Sequence, residues 1–191
     1  MQARNLLTRR FLITVTTRRP PEGARLRPVP VVLVETDTPS QLSEKWQERL
    51  GKFAFKSAVA SLRRQQDGND SNNGDGKKLL DTWYQELRGE SESLRDFPPI
   101  MVAHGLAAWR VCQKYVANQP VTGLVLAAGP SNASIAAAMP KTDFEPYFPL
   151  AVVAKEAVEE SSEDIEHLTV EDDENHEEIM NKAVSWIEEC F

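Results

Sequence analysis

Residues 98–130, PPIMVAHGLAAWRVCQKYVANQPVTGLVLAAGP, restrict the choice of fold more than any other stretch of this chain. Two apolar runs, Ile100 to Ala103 and Val121 to Ala127, are too short and too rich in β-branched residues to be helices. Between them Leu106, Trp109, Val111, Cys112, Tyr115 and Val116 recur at helical spacing. A strand, a helix and a second strand within this length make a parallel crossover, which is right-handed in nearly all proteins. The expected class is therefore α/β, a mostly parallel sheet with flanking helices.

The remaining segments extend that pattern. Val31–Glu35 (VVLVE), Phe53–Leu62 (FAFKSAVASL), Leu150–Ala154 (LAVVA) and His167–Val170 read as further strands. The run from Ser40 predicts a capped helix with Leu42, Trp46 and Leu50 on one face and Gly51 near its end. Leu79–Leu94 predicts an amphipathic helix that turns Leu80, Trp83, Tyr84 and Leu87 inward, and the last residues predict one that buries Ile179, Ala183, Trp186 and Ile187. The polar tract ahead of Leu79 suggests a flexible loop near residues 66–78. Its aspartates lack the spacing and closing glutamate of a calcium loop, so no metal is expected there.

The turn at His104-Gly105 carries the chemistry. With its flanking strand and helix, VAHGLAAW resembles the nucleophile elbow of the α/β-hydrolase fold family, G-x-S-x-G, with Ala103 and Ala107 at the two small-residue positions. The resemblance implies a reduced α/β-hydrolase-like domain with a minimal cap, the segment after Pro130 being short. It also implies that Gly105 stands where the nucleophilic serine belongs and that His104 occupies a position often held by histidine. His176, just ahead of the closing helix, matches the histidine of the triad. Glu156 or Glu159 would approximate its acid. The loop from Glu35 to Ser40 lacks the His-Gly pair that opens an oxyanion loop and brings carboxylates where donors are needed. The resemblance thus implies a degenerate member: Gly105 and His176 are vestigial positions, and His104 is a packing or hydrogen-bonding group. No catalytic residue, cofactor or metal is assigned, since no P-loop, dinucleotide glycine motif or zinc ligand set occurs.

Charge is divided along the chain. Residues 1–27 hold seven arginines and one acid, interleaved with Leu6, Leu7, Phe11, Leu12 and Ile13. This is the composition of a mitochondrial targeting segment, and a first strand built from FLITVTT is the alternative. On the first reading a single domain occupies residues 28–191. The rest of the chain carries a net charge of −13, which argues against nucleic acid as a ligand. The segment from Lys155 to Glu178 holds 12 acids and one basic residue, a solvated face or a docking surface for a basic partner. No apolar run has the length of a membrane span. Cys112 and Cys190 are too few for a disulfide framework. These features lead to the expectation of a non-catalytic binding or assembly component, a subunit of a mitochondrial complex. The alternative is a small esterase or thioesterase that uses His176.

Overall fold

The β-branched runs become neighbouring strands of one sheet. The computed structural model describes residues 13–36, 40–63, 76–92, 97–129, 133–156 and 165–191. Seven strands, β1 (Ile13–Arg18), β2 (Val31–Thr36), β3 (Ser57–Leu62), β4 (Ile100–His104), β5 (Gly123–Ala127), β6 (Leu150–Ala154) and β7 (Ile165–Thr169), lie in the order β1-β3-β2-β4-β5-β6-β7. All pairings are parallel except β1 with β3. Among the described residues five helices flank the sheet: α1 (Ser40–Lys52), α2 (Gly76–Glu92), α3 (Leu106–Val116), α4 (Ala133–Ala137) and α5 (His176–Cys190).

Both faces of the sheet are covered, which explains why the strands read as continuous apolar runs rather than as alternating ones. Val32, Val34, Met101, Ala103, Leu124 and Val152 pack with Trp83 and Leu87 of α2 and with Val111 and Tyr115 of α3. Val31, Leu33, Ile100, Val102, Val125 and Ala151 meet Trp46 and Leu50 of α1 and Ile179 and Ala183 of α5 on the other face. Each fully buried aliphatic side chain contributes about 1.5–3 kcal/mol. Cys112 lies inside the first layer, and burial pushes its thiol well above the usual range, consistent with an inert packing role.

Several expected boundaries shift. Ile13–Arg18 falls within the segment expected to precede the domain, yet it pairs along its whole length with β3, and Ile13 is buried. The strand alternative for FLITVTT is therefore the one that forms from Ile13 onward, and the expected boundary at residue 28 moves back to at least Ile13. The start of the arginine-rich segment, residues 1–12, lies outside the described residues. Gly76, Lys77 and Lys78, expected in the polar loop, form the first turn of α2, and residues 64–75 lie outside the described residues. The strand expected from Phe53 begins only at Ser57, because the chain first has to leave α1. Ala54 takes a left-handed conformation (φ 64°) there, and Phe53, Ala54 and Phe55 donate back to Leu50 and Gly51. Gly51 is the penultimate residue of α1, near its end as expected.

The topology also locates a crevice. From β2 the chain crosses through α1 outward to β3, whereas from β4 it crosses through α3 to β5 on the opposite side. Ligand sites of open α/β sheets lie at such a reversal, outside the carboxyl ends of the strands. Here those ends are Glu35-Thr36 and His104-Gly105. Between β5 and β6 the described chain offers only α4 and an irregular segment in which the Phe144 and Phe148 rings stack, a minimal cover.

Candidate functional site

At the carboxyl end of β4, His104 is fully buried and Gly105 turns the chain into α3. Gly105 is the helix N-cap with φ 88° and ψ 161°, a region open essentially to glycine alone. Its N–H donates to the Ala127 carbonyl at 3.0 Å, and the Trp109 indole N–H donates to the same oxygen at 3.0 Å. These two bonds tie the elbow to the end of β5. Gly129 lies across it: a Cβ there would come within 2.7 Å of the His104 imidazole and 3.0 Å of the Gly105 nitrogen. Only glycine permits that approach.

The chain's far end returns to the same place. His176 opens α5, whose N-cap Asn175 accepts the Glu178 N–H at 3.2 Å. The His176 ring meets the His104 ring edge-on, with centroids 5.4 Å apart and planes at 74°. The Trp46 ring of α1 lies 6.3 Å from the His104 ring, centroid to centroid. Burial, and then the charge that His176 can carry, lowers the His104 pKa to about 4, so His104 is neutral near pH 7. His104 is thus buried with the Trp46 and His176 rings as neighbours.

Glu35, read both as the last residue of the second strand and as the first of the loop after it, is the fifth residue of β2, in register with His104 and only 2 % exposed. Its Oε1 accepts the Ser43 hydroxyl at 2.6 Å and the Ser61 hydroxyl at 3.0 Å. Val31, Leu33 and Glu35 alternate onto one face of the strand. Asp37, the other carboxylate of the expected loop, lies outside the described residues.

The acid position is less developed. Glu156 is exposed just after β6, and Glu159 lies outside the described residues. A different carboxylate reaches the end of β6: Asp173 Oδ1 accepts the Lys155 N–H at 2.7 Å. Sequence reading missed it because it stands within a long acidic run. The Nδ1 atom of His176 has no hydrogen-bond partner among the described residues.

No family model matches the chain, and no curated protein matches it by sequence. Solved structures do match. An α/β serine hydrolase homologue from Coxiella burnetii is 12% identical, with 93% of this chain and 88% of that one aligned and a TM-score of 0.55. Est1E from Butyrivibrio proteoclasticus with ferulic acid bound gives 12% identity, 93% and 95% coverage and a TM-score of 0.61. A protein of unknown function from Agrobacterium tumefaciens, Atu2452, gives 11% identity, 92% and 96% coverage and a TM-score of 0.50.

The fold is that of the α/β-hydrolases. The turn after β4 holds His104 and Gly105, and the start of α5 brings His176 to the same end of the sheet. The three residues singled out in the sequence therefore share one end of the sheet, while the elbow itself offers no nucleophilic side-chain atom. Among the described residues no helix is long and apolar enough to cross a membrane.

Proposed function

We propose that this protein is a catalytically degenerate α/β-hydrolase-like protein whose scaffold serves binding or assembly in mitochondria, as a component of a larger complex. The observation that carries the reading is Gly105 at the elbow, in a backbone conformation suited to glycine. Nucleophilic hydrolysis needs a nucleophile, a base and a group that orients the base. Gly105 supplies no nucleophile, and His176 Nδ1 has no orienting acceptor among the described residues. His104, packed and neutral, is not poised to exchange protons near pH 7. Support for a mitochondrial location comes from the arginine-rich composition of residues 1–27. Because β1 starts at Ile13, processing that preserves the sheet would cut ahead of that residue. The exposed acids Glu171, Glu174 and Glu177 supply a surface for a basic partner protein.

A second reading, an esterase- or thioesterase-type hydrolase with His176 acting as base on water, draws on the approach of His176 to the elbow. Turnover of p-nitrophenyl acetate and butyrate by wild type and His176→Ala separates the two. The proposal expects both proteins at the background rate, whereas turnover that disappears with His176 supports the hydrolase. For the assembly role, Glu171→Lys, Glu174→Lys and Glu177→Lys together should abolish co-migration with a mitochondrial complex. Unchanged co-migration counts against the acidic surface.

A further inference from the structure

The sheet ends on one side at β7, and the alternation of its backbone fixes which groups that edge offers. Val170 donates its N–H inward, to the Ala154 carbonyl at 3.3 Å, so Leu168 and Glu166 also turn their backbone groups toward β6. Ile165, His167 and Thr169 turn theirs outward. The Thr169 carbonyl accepts the Lys182 ammonium of α5. Among the described residues nothing pairs with the outward N–H groups of Ile165, His167 and Thr169 or with the carbonyls of Ile165 and His167. Ile165 packs toward the first layer and Leu168 toward the second, both half-buried, while Glu166 accepts the Trp186 indole N–H at 2.6 Å. Residues 165–178 carry seven acids and no lysine or arginine. Glu171, Asp172, Asp173 and Glu174 are exposed at the carboxyl end of β7. Against these acids stand Lys182, 3.6 Å from Glu178, and Lys155, directly after β6, while α5 adds Glu188 and Glu189.

We propose that β7 takes up a basic β-strand of a partner protein at this edge. The inference rests on the reading of the acidic surface as a docking face, and it names the mode of docking. Backbone groups provide the pairing, with the added strand about 4.8 Å outward from β7. Its arginine or lysine side chains meet Glu166 and the acids beyond Thr169, and its apolar side chains extend the packing of Ile165 and Leu168. A second copy of this chain, pairing β7 with β7, would bring two acidic segments together, and like charges across a strand pair are destabilising. The elbow takes no part, since β5 and β6 stand between β4 and this edge.

Fluorescence anisotropy of the full chain with a labelled synthetic peptide that alternates arginine with valine tests the proposal at fixed salt. Two controls accompany it: the same peptide N-methylated at alternate backbone nitrogens, and a version with glutamate in place of arginine. The basic peptide is expected to bind, and both controls to bind at least about tenfold more weakly. His167→Pro removes an outward N–H, and an edge strand tolerates proline where its nitrogen faces solvent. It should weaken binding of the basic peptide at least about tenfold. Glu171→Lys with Glu174→Lys, which leaves the backbone edge intact, should do the same. If His167→Pro fails to fold, hydrogen exchange in wild type decides, because the peptide should slow exchange at the Ile165, His167 and Thr169 amides. No binding of the basic peptide, equal binding of either control, unchanged exchange at those amides, or self-association that the peptide disrupts overturns the proposal. Wild-type affinity in folded His167→Pro, with loss in the lysine variant, overturns the strand pairing and leaves the acidic docking face standing. Wild-type affinity in both variants overturns both.

Discussion

Two neighbouring positions at the carboxyl edge of the sheet have opposite environments. Glu35 and His104 are paired in register on β2 and β4, and both are buried. Around Glu35 the side chains are polar, and the carboxylate collects hydroxyl donors from α1 and β3. Around His104 they are the aromatic rings of Trp46 and His176. Helix α1 serves both, through Ser43 at Glu35 and Trp46 at His104. The difference teaches that the crevice of an α/β sheet does not dictate chemistry. Topology supplies the concavity, and the side chains one strand apart decide whether it is polar or packed.

The largest effect should come from the element that the two regions share. Trp46→Ala removes a fully buried indole and is expected to cost about 3–5 kcal/mol in denaturant unfolding. A cost under about 1 kcal/mol means that α1 is not the common support.

His104 should give the next largest effect. Its imidazole titrates near 6.5 when unfolded and near 4 when buried, so between those values the unfolded chain holds a proton that the folded chain lacks. Stability therefore falls as the pH drops from about 6.5 to about 4 and levels off below. The loss attributable to His104 is about 3 kcal/mol at roughly 1.4 kcal/mol per pH unit. His104→Gln should flatten that window in urea melts at pH 7 and pH 4.5, and an unchanged pH profile contradicts the packed, neutral imidazole.

On the polar side, Glu35→Leu strands the Ser43 and Ser61 hydroxyls without their acceptor and should cost about 1–3 kcal/mol. Adding Ser43→Ala and Ser61→Ala should recover part of that loss, and no recovery means that the carboxylate was not their essential partner. Smallest is Ala54→Gly, which relieves a left-handed alanine and should stabilise by up to about 1 kcal/mol.

The same contrast separates what the sequence reveals from what it conceals. Strands β4, β5 and β6 were legible because burial on both faces leaves short β-branched runs between punctuating prolines and polar turns. The strand–turn–helix at His104-Gly105 was legible because VAHGLAAW meets its local residue requirements. Strand β1 was harder: only Ile13 and Val15 of its inward residues pack against the core, and its threonines and arginine face out. An edge strand of that kind has the same composition as a basic amphipathic arm. The left-handed turn at Ala54 had no signal, since the nearby Gly51 mimics one. The meeting of His176 with His104 depends on where α5 docks, which no local spacing encodes.

The most direct measurement of the central claim is intact-mass analysis after incubation with a fluorophosphonate that labels activated serines. The account predicts an unmodified mass for wild type, because the elbow carries Gly105 and no oxygen nucleophile. Stoichiometric addition of one phosphonyl group, abolished by His176→Ala, contradicts it and identifies a working hydrolase.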